Sequence, residues 1–265
     1  MNASGRVSAE EGSPKGCGPF APVSAAGESL RLSVFERIRA EGAVARATIA
    51  KDLSISPATV TTQTSALIEL GFVKEQQLTA DAADQGRGRP PIALTVRPEA
   101  HHVAGVKLSD REHTAAVYDF AGNLVASATR PAAPKDSPDK VVATSLELIK
   151  AVASEAGLSV EDLSAVGMGV PGFINSEAGL VHWSPFMEGK ALPFADLMTK
   201  RLGRPVVIDN DANVAALAEL WFGVGRQISD FAVVTIEHGV GMGLVINHKL
   251  YSGARGMGME LGHTK

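Results

Sequence analysis

The chain has a single cysteine, no long apolar run and almost no excess of charge of either sign. Each shortage closes off a class of protein. With Cys17 alone, no intramolecular disulfide can form, and a cytoplasmic, reducing location is the expectation. Nothing approaches the roughly 18 consecutive apolar residues that a transmembrane helix needs. The first residues lack a basic start followed by an apolar stretch, so they do not read as a secretory signal. Lys and Arg number 25 against 29 Asp and Glu, a formal net charge of −4. A protein that coats nucleic acid through general basicity is strongly positive, so any DNA contact here must come from a local cluster of charge.

What is present is an ordinary soluble composition, 45% hydrophobic and 20% charged over 265 residues, enough for more than one domain. Residues 1–28 are rich in Gly, Ala, Ser and Pro without periodicity and are expected to be a disordered leader. A first unit follows over residues 29–98. Leu32, Phe35 and Ile38 are spaced as on the buried face of a helix that Gly42 closes. A short second helix over 46–53 carries Ile49 and Leu53 one turn apart. Ser54-Ile55-Ser56 is the turn. Ser56 is a good N-cap, and Pro57 falls at the first helical position, where proline is tolerated best. The third helix runs to about Leu70, burying Val60, Leu67 and Leu70, with Gly71 just past its end. This is the helix-turn-helix arrangement.

The outer face of the third helix carries Thr59, Thr61, Thr62, Gln63 and Ser65. With Ser56, these short side chains suit a helix whose start lies in a major groove; on the helix alone, a plain solvent face fits equally well. The next segment separates the two readings. A strand over 72–75 and its partner over 92–96 flank Gln85-Gly86-Arg87-Gly88-Arg89-Pro90-Pro91. A hairpin behind a recognition helix is a wing, and Arg87 and Arg89 make its tip narrow and cationic, fit for a minor groove. A solvated basic loop is the alternative. The reading is therefore a winged helix-turn-helix that binds operator DNA through Ser56, Thr59, Thr61, Thr62, Gln63, Arg87 and Arg89.

A second pattern occupies residues 101–265. Strands are expected over 103–108, 114–118, 124–129, 163–170, 205–208, 231–236 and 243–247, with helices over 141–156, 192–202 and from the Asp209–Asn213 run through Glu219. Strands leading and helices following, twice over, predict an α/β domain of two similar lobes. Polar groups at the carboxyl ends of such strands face the crevice where ligands bind. Asp209-Asn210-Asp211-Ala212-Asn213 sits at such an end, although by spacing alone it reads first as an N-cap cluster.

Several segments together carry a family resemblance. Gly169-Val170-Pro171-Gly172 resembles the G-x-P-G turn of the ROK family, which groups sugar-responsive repressors with sugar kinases. Asp209-Asn210-Asp211-Ala212-Asn213 resembles its N-D-A-N motif. The run from Gly253 through Glu260-Leu261-Gly262-His263 resembles its G-A-x-G-x-x-G-E-x-G-H signature, with Met259 in place of the usual glycine. A helix-turn-helix followed by Gly-Arg-Gly-Arg-Pro is the family's regulator arrangement. The resemblance implies an actin-like, ribonuclease H-like domain with two lobes around a sugar cleft, its second lobe incomplete in this chain. It places Asn210, Asp211 and Glu260 on the sugar and His263 on the sugar or on zinc; in kinase members the residue matching Asp211 is the general base.

The same resemblance separates regulator from kinase. The first phosphate turn of kinase members, D-x-G-G-T, is Lys107-Leu108-Ser109-Asp110-Arg111 here, and the second, G-T-G-x-G, is Glu237-His238-Gly239-Val240-Gly241. Lost glycines bar the close backbone approach that phosphate needs, and Glu237 adds negative charge. Ser184-Pro185-Phe186 replaces the stretch where kinase members carry an asparagine for the sugar. The expectation is a homodimeric repressor of carbohydrate genes that answers to a sugar or sugar phosphate and is not an enzyme. An active hexose or N-acetylhexosamine kinase and an inert fragment are the alternatives. No metal or cofactor is expected, because the family's zinc cysteines are missing and structural zinc wants four ligands. With the second lobe lacking covering elements, exposed apolar surface and poor solubility or partner-dependent folding are expected of it.

Overall fold

The computed structural model describes residues 16–20, 29–77, 92–132, 135–189, 191–236 and 239–253. The first unit runs α1 (Leu30–Glu41), β1 (Val44–Ala45), α2 (Arg46–Asp52), α3 (Pro57–Glu69), β2 (Val73–Gln77) and β3 (Ile92–Val96). Ser29 caps α1, its Oγ accepting from the Leu32 amide at 3.3 Å. The helices close on Val34, Phe35, Ile38, Ile49, Val60 and Leu67, and the strands add Val73, Leu94 and Val96. β3 lies between β1 and β2, antiparallel to both, in a register that pairs Val73 with Val96 and Gln77 with Ile92. This is the element order of a winged helix. Two residues expected inside are outside: Leu32 and Leu70 are 41% and 53% exposed. Val34 and Thr64, one helical turn from Ile38 and Val60, are buried in their stead.

The second unit begins with β4 (His102–Lys107), β5 (Glu112–Asp119), β6 (Leu124–Pro131), α4 (Pro138–Glu155) and β7 (Leu163–Val170). A short hairpin follows, β8 (Phe173–Asn175) with β9 (Leu180–Trp183), then α5 (Phe194–Leu202), β10 (Val206–Asn210) and α6 (Asp211–Phe222). The main sheet has the order β10-β7-β4-β5-β6. β4, β7 and β10 are parallel, while β5 runs against β4 and β6. Numbered over this sheet's own strands and read from β6, that order is 3-2-1-4-5, the ribonuclease H-like sheet. Leu148, Ile149 and Val152 of α4 and Phe194 and Met198 of α5 bury one core with Val106, Val117, Val166, Met168 and Ile208 of the sheet. Burial on this scale, at about 25 cal/mol per Å² of apolar surface, holds helices and sheet together.

A second sheet follows α6: β11 (Phe231–Ile236), β12 (Val240–Ile246) and β13 (Lys249–Leu250), in that order. Ala216 and Leu220 of α6 pack on Val245. Gly241 and Gly243 seat the helix: a Cβ on Gly243 would fall 2.4 Å from the Ala212 carbonyl oxygen, and one on Gly241 3.0 Å from Ala212 Cβ. Val234, Ile236, Val240 and Ile246 of this sheet are exposed.

Residues 16–20 of the expected leader are a correction. Cys17 is buried, its amide donating to the Arg39 carbonyl at 3.1 Å, while the amides of Gly18 and Phe20 donate to the carbonyls of Trp221 and Arg226 at 2.8 and 3.0 Å. Residues 16–20 therefore pack between α1 and the far end of α6. Composition hid this because two glycines that read as disorder are what close approach requires: a Cβ on Gly16 would lie 2.2 Å from the Ala40 carbonyl oxygen, and Gly18 has φ +94°.

The units meet at an aromatic seam. Phe120, in the turn between β5 and β6, stacks on Phe35 with centroids 5.0 Å apart and meets Phe72 edge-on at 5.5 Å. His101 completes the cluster, 4.9 Å from Phe120 and 5.4 Å from Phe72. No helix among the described residues is long and apolar enough to cross a membrane.

Candidate nucleic-acid interface and ligand cleft

Ser56 starts α3 as its sequence suggests, accepting the Thr59 amide at 3.1 Å. Its Oγ also lies 2.8 Å from Thr59 Oγ1. The Thr61 and Thr62 hydroxyls donate back to the carbonyls of Pro57 and Ala58, at 2.9 and 3.1 Å. Both residues are exposed, and a hydroxyl oxygen that donates keeps lone pairs with which it can accept from a ligand without disturbing the helix. Ser56, Thr59, Thr61, Thr62 and Gln63 thus share the first two turns of one helix. That helix has no basic residue, so positive charge beside it comes from its neighbours. Arg31 Nε of α1 donates to Gln63 Oε1 at 3.4 Å, and Arg46 Nε of α2 donates to Thr64 Oγ1 at 3.1 Å while pairing with Glu75 at 2.8 Å. The sequence reading missed both arginines; their signal was their place at the starts of the two preceding helices. Arg87 and Arg89 lie outside the described residues.

The cleft is built at the carboxyl ends of the parallel strands. Lys107 ends β4 and pairs with Gly169; Val170 ends β7 and pairs with Asn210, the last residue of β10. Chain direction alone therefore brings the Gly169–Gly172 turn and the Asp209–Asn213 cluster to one edge. Asn210 performs two tasks. Its Oδ1 accepts the Ala212 amide at 2.8 Å as the N-cap of α6, and its Nδ2 donates to the Gly172 carbonyl at 2.9 Å. Asp209 Oδ1 accepts from Asn213 Nδ2 at 2.8 Å and from the Asn210 amide at 2.7 Å. Burial pushes the Asp209 carboxyl above its ordinary pKa, and those two donors pull against it. Asp211 opens α6, where the helix dipole favours its negative charge. The N-cap reading and the ligand reading of this cluster are thus compatible. Glu260 and His263 lie outside the described residues, as do Glu237 and His238.

The altered first phosphate turn has a definite structure. Ser109 Oγ donates to the Glu112 carbonyl at 2.9 Å and accepts the amides of Arg111 and Glu112, both at 3.3 Å. Backbone amides that would otherwise be open to an oxyanion are engaged by a side chain. The Ser109-x-x-Glu112 spacing signalled such a turn but went unread. The Ser109 amide in turn donates to Nδ1 of buried His113 at 3.3 Å, so His113 serves as a neutral acceptor. Burial lowers its pKa from 6.5, with Asp136 opposing. An unfolded imidazole takes up a proton near pH 6.5 while the folded one resists, so this stability is intact above about pH 6.5 and is lost as pH falls below it. Urea midpoints measured from pH 7.5 to 5.5 should therefore drop more steeply for the wild type than for His113→Gln; parallel curves would remove His113 from the account.

Phe186 is buried in the main core beside His113, with ring centroids 6.1 Å apart. In the Ser184-Pro185-Phe186 stretch, where the family resemblance implies an asparagine in kinase members, Ser184 and Phe186 are both buried. Among the described residues no group of three or more His, Cys, Asp or Glu side chains could hold a metal.

Comparison with known proteins matches this chain both to transcriptional regulators and to sugar kinases. The ROK family model matches residues 103–265, and the chain belongs to that family. It is 29% identical over 234 residues to the xylose repressor of Caldicellulosiruptor bescii, an alignment covering 88% of this chain and 58% of that protein. It is 33% identical over 161 residues to the glucokinase of Thermotoga maritima, covering 60% of this chain and 49% of the kinase. Among solved structures, a ROK family transcriptional regulator described as a homologue of the E. coli MLC protein superposes with a TM-score of 0.69 at 26% identity, over 87% of this chain and 57% of that one. The chain thus spans a little over half the length of the repressors it resembles.

Proposed function

We propose that this protein is a DNA-binding transcriptional repressor of carbohydrate genes whose ROK domain senses a sugar or sugar phosphate and carries out no phosphoryl transfer. The observation that carries this reading is the extent of similarity. The xylose repressor alignment takes in 88% of the chain, whereas the glucokinase alignment takes in 60%. The repressor match therefore extends well beyond the share that the kinase match accounts for. The Ser109 turn supports the same side, since phosphoryl transfer depends on amides positioned around phosphate oxygens and two here are engaged. Operator contacts fall to Ser56, Thr59, Thr61, Thr62 and Gln63, with Arg87 and Arg89 at the wing; a two-fold homodimer would read a roughly palindromic site. Asn210, Asp211, Glu260 and His263 are the sugar contacts in this reading. No cofactor is assigned, and Cys17 is taken up between α1 and α6.

The kinase reading keeps one specific support, an aspartate at the position of the family's general base. A coupled ATP-consumption assay over D-glucose, other hexoses and N-acetylhexosamines separates the two. No turnover above background is expected, alongside a thermal shift with at least one sugar or 6-phosphate that Asp211→Ala and Glu260→Ala abolish. Steady turnover that Asp211→Ala removes would establish the kinase.

A further inference from the structure

The far end of α6 is clamped to the winged-helix unit. Arg226, in the turn just after α6, donates from Nε to the Gly18 carbonyl at 2.8 Å and from Nη2 to the Ala40 carbonyl at 2.5 Å. Its guanidinium lies 4.1 Å from the Phe20 ring centroid. Arg39 of α1 lies 4.0 Å over the ring of Trp221 in the last turn of α6. Residues 16–20 thread between them. Arg37 donates to the Phe20 carbonyl at 2.7 Å and pairs with Asp52 of α2 at 2.8 Å, so the clamp reaches the helix that precedes α3. Glu219 holds the turn to α6 by accepting the Val224 amide at 3.2 Å.

The near end of α6 is the Asn210–Asp211 cluster. One unbroken helix of 12 residues, about 18 Å long, thus has the candidate sugar contacts at its amino end and the DNA-binding unit at its carboxyl end. Gly241 and Gly243 let it ride directly on β12. A stiff element held at both ends transmits tilt, because packed helices shift as bodies and do not deform continuously.

We propose that α6 is the lever that couples sugar occupancy to the pose of the winged helix, and that the 16–20 strap with Arg226 is the latch joining lever to DNA-binding unit. Arg226 is a positioning residue here; it touches neither sugar nor DNA. The proposal rests on the sugar-sensor reading above. Coupling of this kind is reciprocal: a ligand that changes DNA affinity must have its own affinity changed equally by DNA.

The test uses the full chain and its two tryptophans. In Trp183→Phe, Trp221 alone reports on the latch. D-xylose, D-glucose, N-acetyl-D-glucosamine and the 6-phosphates of the last two are titrated by calorimetry, by Trp221 emission and by affinity for a duplex selected from a random-sequence pool. The expected result is that a sugar giving heat also shifts Trp221 emission and changes DNA affinity, by about five- to 150-fold if the coupling is of ordinary size. Arg226→Gln, and separately removal of residues 1–20, should leave sugar affinity in the absence of DNA within about threefold, by the same calorimetry, and cut the DNA response below about twofold. Melting followed by circular dichroism shows that each variant is folded, and the two break the latch from opposite sides, so one folded variant suffices. Undiminished sugar dependence in a folded variant overturns the latch while leaving the sensor standing. No heat from any of these sugars removes the sensor reading and the lever with it.

Discussion

Gly172→Ala should cost about 3 kcal/mol of stability, lowering Tm by about 6–12 °C for a unit of this size. Gly172 has φ +120°, where a side chain is strained. The added Cβ would also lie 2.1 Å from the Trp183 carbonyl oxygen and 2.9 Å from Ser184 Cα. Both are backbone atoms, so relief requires the β8–β9 hairpin to move as a whole. The Gly172 carbonyl is also the acceptor for Asn210 Nδ2, so movement there unseats the N-cap of α6. Gly189→Ala is the matched control: φ is +89° but nothing lies within 4 Å of the new Cβ, leaving strain of about 1–2 kcal/mol alone. Thermal melts of the two variants decide the matter, and an equal loss in both would show that the backbone contact at Gly172 contributes nothing.

The largest effect on DNA binding is expected from replacing Arg87 and Arg89 together by alanine. Both arginines fall in the sequence between β2 and β3, whose register pairs Gln77 with Ile92, and α3 has no basic residue of its own. If each neutralises one phosphate, the slope of log K against log salt should fall by about 1.8, since each contact contributes about 0.9. Affinity near physiological salt should fall at least about tenfold, most on A·T-rich flanks where the minor groove is narrow. Fluorescence anisotropy over a salt series reads both quantities. A parallel shift with unchanged slope would mean that the arginines act on folding and not on phosphate.

Most of the chain's architecture was legible because its strands have strong period-two or continuous apolar patterns bounded by glycine or proline. Leu163–Val170 and Phe231–Ile236 fall where expected, to the residue. Ser56 and Pro57 fixed the start of α3 because capping chemistry is local. What escaped was set by distant partners. β1 is two residues long and exists only because β3 pairs with it. The β8–β9 hairpin is too short for any periodicity. Residues 16–20 owe their order to Arg39, Trp221 and Arg226, the last of these some 200 positions along the chain, so no reading of the leader by itself could find it. At the site, the motif at Asp209–Asn213 was visible, but its link to Gly172 was not: that depends on two parallel strands ending side by side.

The aromatic seam bears on how two-unit chains of this kind could be recombined. Phe35 and Phe72 of the winged helix are closed over by Phe120 from the other unit, and the Phe120 amide donates to the Pro98 carbonyl at 3.0 Å. A chimera joined at Pro98 to a foreign ligand domain would inherit two uncovered phenylalanines unless the graft brings an aromatic ring in the same hairpin turn. At this seam the unit of exchange is therefore the winged helix plus that turn, a boundary drawn by ring contacts and not by the sequence junction, and the contacts of α1 with the end of α6 would have to be rebuilt beside it.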